Sequence, residues 1–202
     1  MKVTDCVACV DFPCADVRHD RYIVPGVEID PHKVSIVLIS ESAPAELADF
    51  YDAGGEALFA RTTVLAFQDA GADVASIQDI RALGVHLTTA VKCGKTGYGI
   101  ATDTIRRCSH LLEQELALFP HVRVFLLMGD VAIRAVNDIA RRNQEPRVIP
   151  AGSTYKIRGA EFYFRGRRAF PSYLQAGPSF GIEKSKRQMI AQDIAAALAL
   201  IR

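Results

Sequence analysis

The sequence predicts an α/β fold, a three-layer α/β/α sandwich around a mostly parallel sheet of about four strands. Three observations carry that prediction. Short apolar-rich runs, VSIVLISE (Val34–Glu41), VHLTTAVKC (Val85–Cys93) and VRVFLLM (Val122–Met128), recur along the chain; runs of this kind are strands buried inside a sheet. The stretches between them carry apolar residues at three- and four-residue spacing, as helices that cover a sheet do. Half of the 202 residues are hydrophobic, enough for one full-sized core. Residues 1–202 therefore read as a single domain, with no internal repeat, low-complexity tract or linker.

The elements follow in order. Residues 1–33 have few periodic signals; CVACVDFPC reads as a turn or short helix presenting thiols, and Pro25-Gly26 as a turn into the first strand. Val34–Glu41 is the strand around which the rest is arranged. It ends in Ser40-Glu41-Ser42-Ala43-Pro44, and open α/β sheets bind ligands just outside the carboxyl ends of their strands. A helix is expected from about Gly55 to Ala70, with Leu58, Thr62, Leu65 and Phe67 inward and Gly71 closing it. A short helix near Ser76–Leu83 stops at Gly84, and Val85–Cys93 forms the second strand. The loop GKTGYGIATD is glycine-rich but lacks the spacing of a P-loop. Thr102 or Asp103 caps a helix through Phe119, with Ile105, Cys108, Leu112 and Leu116 facing the core. Val122–Met128 is the third strand, and Gly129-Asp130 turns it into a helix with Val131, Ala132, Val136 and Ile139 inward. Lys156–Phe170 reads as a hairpin or edge strand before a fourth buried strand end, and Phe170-Pro171-Ser172-Tyr173-Leu174 as the loop there. The last helix, about Glu183–Ile201, gathers Ile190, Ile194, Ala197, Leu198 and Ile201 on one face.

The net charge of +1 points to no partner class. Its distribution is less even: between Lys156 and Arg187 eight basic residues face only Glu161 and Glu183, a surplus that suits phosphate backbones or a plain solvated face. No apolar run reaches the roughly 18 residues of a membrane span, and MKVTDCVACV lacks the apolar core of a signal peptide. The expectation is a cytoplasmic protein with no membrane partner, whose five cysteines are not paired as disulfides. Cys6, Cys9 and Cys14 cluster early; Cys93 and Cys108 lie far along the chain.

Four stretches, in order, resemble one superfamily. ISESAP followed by an aromatic loop is similar to GEAPG, the first motif of the iron–sulfur uracil-DNA glycosylases. TTAVKC, followed by a helix carrying Cys108, resembles their N-V-V-K-C strand and the cysteine of the next helix. LLMGDVAIRAV resembles their apolar strand followed by L-G-x-x-A, and FPSYL their second motif, H-P-S-x-L. The resemblance covers nearly the whole chain. It implies a uracil-DNA glycosylase-like fold and DNA as the partner; no obligate protein partner is inferred. It also implies a [4Fe–4S] cluster. Cys93 and Cys108 match two of its four ligands; Cys9 and Cys14 match the others by distance from the Glu41 motif, with Cys6 as an alternate because Cys6 and Cys9 have the family's C-x-x-C spacing. Soft thiolates suit such a cluster, or zinc. Three positions depart from the family. Its second-motif histidine, which stabilises charge on the departing uracil, falls at Phe170; its uracil-reading asparagine falls near Thr89; the glycine opening its first motif is Ser40.

Hydrolysis of an N-glycosidic bond needs a water held at the anomeric carbon, negative charge facing an oxocarbenium-like transition state, and donors for the leaving base. Glu41 is the candidate for the first two roles. Phe50 or Tyr51 can stack on a flipped base, and Thr89 and Ser172 join them as base-binding candidates, with Thr88 and His86 considered beside them. The loop from Phe170 to Leu174 can enter a duplex as an apolar wedge. Tyr173 and Leu174, with Arg167, Arg168, Lys184 and Lys186, are the DNA-binding candidates. Plainer readings stand beside these: Phe50 and Tyr51 as core aromatics, His86 as a structural residue, Ser172-Tyr173 as a simple turn. The expected function is a DNA glycosylase acting on a damaged or deaminated base. The alternatives are a non-catalytic nucleic-acid-binding protein with a vestigial pocket, suggested by Phe170, and a nucleoside-directed enzyme on the same scaffold.

Overall fold

The Val- and Ile-rich run after His32-Lys33 folds as the central strand of a six-stranded sheet in a computed structural model that describes residues 1–54 and 56–201. The strands are β1 (Val17–Arg18), β2 (Ile36–Ala43), β3 (Val85–Lys95), β4 (Val124–Met128), β5 (Phe162–Phe164) and β6 (Arg167–Ser172), in the order β1-β3-β2-β4-β6-β5. β3, β2, β4 and β6 run parallel, which is the expected four-stranded sheet. β1 and β5 add antiparallel edges of two and three residues, too short to leave a period-two pattern in the sequence.

Successive strand residues point to opposite faces, and β2 divides accordingly. Val37 and Ile39 face α3 (Thr102–Ala117) and α4 (Asp130–Arg142); Ile36 and Leu38 face α1 (Leu58–Asp69), α2 (Ile77–Ala82) and α6 (Lys184–Ala199). All four are fully buried, a contribution of about 1.5–3 kcal/mol each. The result is the three-layer sandwich. No helix among the described residues is long and apolar enough to cross a membrane.

Several local details differ from the sequence expectations. Gly55, where the first helix was expected to start, lies outside the described residues. The inward face of α1 is Thr62, Thr63, Ala66 and Phe67, and Leu65 is among the exposed hydrophobics. The start of α3 is not capped by Thr102 or Asp103. Asp16, from the N-terminal segment, accepts the Ala101 N–H at 2.6 Å and the Thr104 hydroxyl, so the cap is supplied from 85 residues away. Residues Thr154–Ile157 form one helical turn, α5. The hairpin is β5–β6, turned by Arg165 (φ 51°) and Gly166 (φ 76°), two left-handed residues as a type I′ turn requires. Phe170 is not in a loop: it pairs with Leu126 inside the sheet, and β6 continues to Ser172 opposite Met128. β3 carries a bulge. Ser42 pairs with Val91 but Ala43 with Gly94, so Lys92 and Cys93 have no partner on β2; a bulge of this kind re-aims side chains.

Candidate active site

The carboxyl ends of the parallel strands share one rim of the sheet. There Glu41 points to the α4 side and lies against Gly129, where an added Cβ would sit 2.5 Å from Glu41 Oε1 and 2.8 Å from its Cγ. Gly129 has φ 97° and ψ 168°, a conformation essentially confined to glycine. The N–H groups of Asp130 and Val131, in the first turn of α4, are near enough to the Glu41 carboxylate to favour its charged form; N–H groups there have no partner within the helix. Burial raises the Glu41 pKa; the Lys95 ammonium and the Val131 N–H pull it back, and the Asp130 carboxylate adds to the rise. A fixed carboxylate that holds its proton more tightly than usual suits acid–base or electrostatic work.

Ser40, the preceding residue, points to the α1 side into a polar cluster. Its Oγ lies 2.6 Å from the Tyr51 hydroxyl, and Gln175 Nε2 donates to Ser40 Oγ at 2.9 Å, Tyr51 Oη at 3.1 Å and Thr63 Oγ1 at 3.4 Å. The four come from β2, the loop after it, α1 and the loop after β6, and all are buried. Burial pushes the Tyr51 phenol up to about 12, although Ser40, Gln175 and Thr63 bond to it. Thr89 is opposite Ser40 in the β2–β3 register, and its buried hydroxyl has no hydrogen-bond partner among the described residues. Tyr51 and Thr89 are thus brought to Ser40. Phe50 is a core residue, its ring 5.0 Å from that of Tyr51. Ser172 turns instead to α6, donating to Asp193 Oδ2 at 2.6 Å, and Arg158 pairs with the same carboxylate at 2.7 Å. Gln175 and Thr63 were not legible in advance, since nothing in their sequence surroundings marks a polar side chain for burial.

The basic candidates separate into two groups. Lys184 and Lys186 are in the first turn of α6, and the Lys186 ammonium lies 5.5 Å from the centre of the Tyr173 ring. Tyr173 and Leu174, both half-buried, open the loop after β6 on the Glu41 rim. Arg167 and Arg168 begin β6, about 16 Å along the strand from Ser172 and toward the opposite rim. Arg167 donates to the carbonyls of Val122 and Pro120. Arg168 donates to Phe162, Ala160 and Ala169, with its guanidinium 4.4 Å from the Phe170 ring centre. The structure ties these two arginines into the fold and does not gather them with Glu41.

His86 and Thr88 also point away from the rim. Glu115 of α3, fully buried, meets His86 Nε2 at 2.8 Å and accepts from Thr88 Oγ1 at 2.9 Å and from the buried Lys92 ammonium. Burial alone would raise the Glu115 pKa, but the Lys92 charge and His86 bring it down to about 2.

Beyond Lys92, Cys9, Cys14, Cys93 and Cys108 line one cavity of about 230 Å³. Cys6 is exposed and does not line it. The backbone N–H of Lys92 donates to Cys108 Sγ at 3.2 Å. Burial, with the other three thiols adding to it, pushes Cys93 up to about 12. Among the described residues, no group of three or more His, Cys, Asp or Glu side chains converges on a metal-ion position; the four thiols border a cavity instead. Soft thiolates suit an iron–sulfur cluster or zinc; His19, His110 and Asp11 line the same cavity.

No family model matches the chain. Over 58 residues it is 38% identical to a type-5 uracil-DNA glycosylase of Thermus thermophilus, a match covering 29% of this chain and 26% of that protein. The chain thus aligns with about a quarter of that relative's length. The match supports kinship with the uracil-DNA glycosylase superfamily.

Proposed function

We propose that the chain is a DNA glycosylase of the uracil-DNA glycosylase superfamily, related to its iron–sulfur branch, that hydrolyses the N-glycosidic bond of a damaged or deaminated base. The observation that carries this reading is Glu41, a carboxylate seated against Gly129 and the first turn of α4 at the carboxyl end of the central strand, next in sequence to Ser40, whose buried polar cluster lies on the opposite face of the sheet. In its ionised form Glu41 faces the developing sugar cation and orients the attacking water, an interaction stronger in the transition state than in the ground state. Ser40, Tyr51 and Thr89 supply hydroxyls for the base edge; the unpartnered Thr89 hydroxyl supports that role.

We also infer a [4Fe–4S] cluster held by Cys9, Cys14, Cys93 and Cys108; the cavity that the four thiols share supports it. When bound, it supplies a structural crosslink between the N-terminal segment, β3 and α3.

The test is product analysis on oligonucleotides containing uracil, hypoxanthine, xanthine or mismatches, with wild type and Glu41→Gln. Excision should fall about 10²-fold or more in single turnover while DNA binding is retained. Because the Glu41 pKa is raised by burial, its charge opposes folding above the ordinary glutamate range, so Glu41→Gln should not lower stability at neutral pH. Excision at full rate in Glu41→Gln refutes the mechanism. A second reading, a binding protein with a vestigial pocket, is favoured by Phe170, which occupies the family's histidine position as a buried core residue under Arg168; a wild type that binds DNA and excises no base would select it.

A further inference from the structure

The glycine-rich loop after β3 has no part in the chemistry above, yet it stands on the same rim. We propose that Tyr98, at its tip, stacks on an unpaired base of bound DNA. The proposal rests on the reading that DNA is bound at the Glu41 rim.

The base of the loop is fixed. An added Cβ on Gly94 would lie 2.8 Å from the Pro44 carbonyl oxygen and 2.9 Å from Arg21 Cβ, so the loop leaves β3 pressed against the turn that follows Glu41. Thr96 Oγ1 donates to the Asp16 carbonyl at 2.9 Å. The tip is the opposite. Tyr98 is 104% exposed, and its neighbours Gly97 and Gly99 have open space around them. An aromatic ring held wholly in water contributes nothing to the core, while its face remains available to a flat apolar surface.

Its surroundings favour nucleic acid. The Lys186 ammonium lies 5.5 Å from the centre of the Tyr173 ring on this rim, and Lys95, the last residue of β3, is three residues before Tyr98. Lys95 and Lys184 make no salt bridge among the described residues, while the competing acids are engaged: Asp130 with Arg134 at 2.7 Å and Glu183 with Lys186 at 2.8 Å. Exposed pairs of that kind are weak and exchange readily for phosphate. Aromatic faces with lysines nearby are how single strands are held without sequence preference, the lysines on the backbone and the rings on the bases.

The chain has no tryptophan, so Tyr98→Trp creates a single reporter, and Tyr163→Trp on the edge strand β5 is the control. Single-stranded DNA, and duplex with one unpaired base, should quench Tyr98→Trp emission and leave Tyr163→Trp unchanged. Tyr98→Ala should weaken single-strand binding about 5- to 150-fold, the loss expected for one stacked base. Binding with Tyr98→Trp emission unchanged, or Tyr98→Ala within twofold of wild type, overturns the stacking role and leaves the glycosylase reading intact. Absence of DNA binding by wild type at low salt overturns both.

Discussion

Glu115→Gln removes one charge from a buried cluster and leaves its shape. In the folded protein Glu115 titrates at about 2, against 4.5 for an ordinary glutamate. At about 1.4 kcal/mol per unit, the ionised carboxylate contributes roughly 3 kcal/mol, in line with the roughly 3–5 kcal/mol lost when one partner of a buried pair is removed. Because the folded pKa is the lower one, this contribution is complete above pH 4.5 and is lost as the pH falls through 2. Urea and thermal unfolding of both proteins across that range is the assay. At pH 7 the variant should be about 3 kcal/mol less stable, a fall in Tm of roughly 6–12 °C for a chain of this size. Its stability should change less than the wild type's between pH 4.5 and 2. Adding Lys92→Met should recover part of the loss, since the unpaired ammonium is then gone. A variant within about 0.5 kcal/mol of wild type at pH 7, the scatter of neutral substitutions, or one with the wild-type acid profile, refutes the reasoning.

Further substitutions probe the rim and the thiols. Gly129→Ala should cost roughly 1–3 kcal/mol in unfolding experiments from its backbone conformation alone; because its Cβ would meet Glu41 at 2.5 Å, excision should fall together with stability, and retention of both would contradict the seating of Glu41. Protein purified without oxygen should be brown with about four irons per chain, lost in Cys93→Ala or Cys108→Ala and kept in Cys6→Ala; iron-free protein after anaerobic reconstitution removes the cluster, and one bound zinc replaces it with a zinc site.

Much of the architecture was readable because it is written locally. The β2 run, the heptad-like spacing in α3 and the Gly129 turn each specify an element within a few residues. What could not be read depends on long-range register. Gln175 meets Ser40 across 135 residues and Lys92 meets Glu115 across 23; no periodicity announces either contact. The β3 bulge, which leaves Lys92 and Cys93 without partners on β2, has no signature in the run VHLTTAVKC. Arg167 and Arg168 were grouped with Lys184 and Lys186 by charge. The direction of β6 puts them toward the other end of the strand.

The central position of β2 has a consequence during synthesis. It is the first of the four parallel strands to be made, yet both of its neighbours come later, and β4 ends about 85 residues further on. At roughly 5–20 residues per second, β2 waits about 4–17 s for its second partner. Throughout that interval Ile36–Ser40 is an uncharged, strand-forming segment of the sort that recruits copies of itself. Lys33 on one side and Glu41 on the other are the charges that flank it. Both stand where charges flanking an apolar strand disfavour pairing between nascent chains, so the position of Glu41 bears on the unfinished chain as well as on the rim.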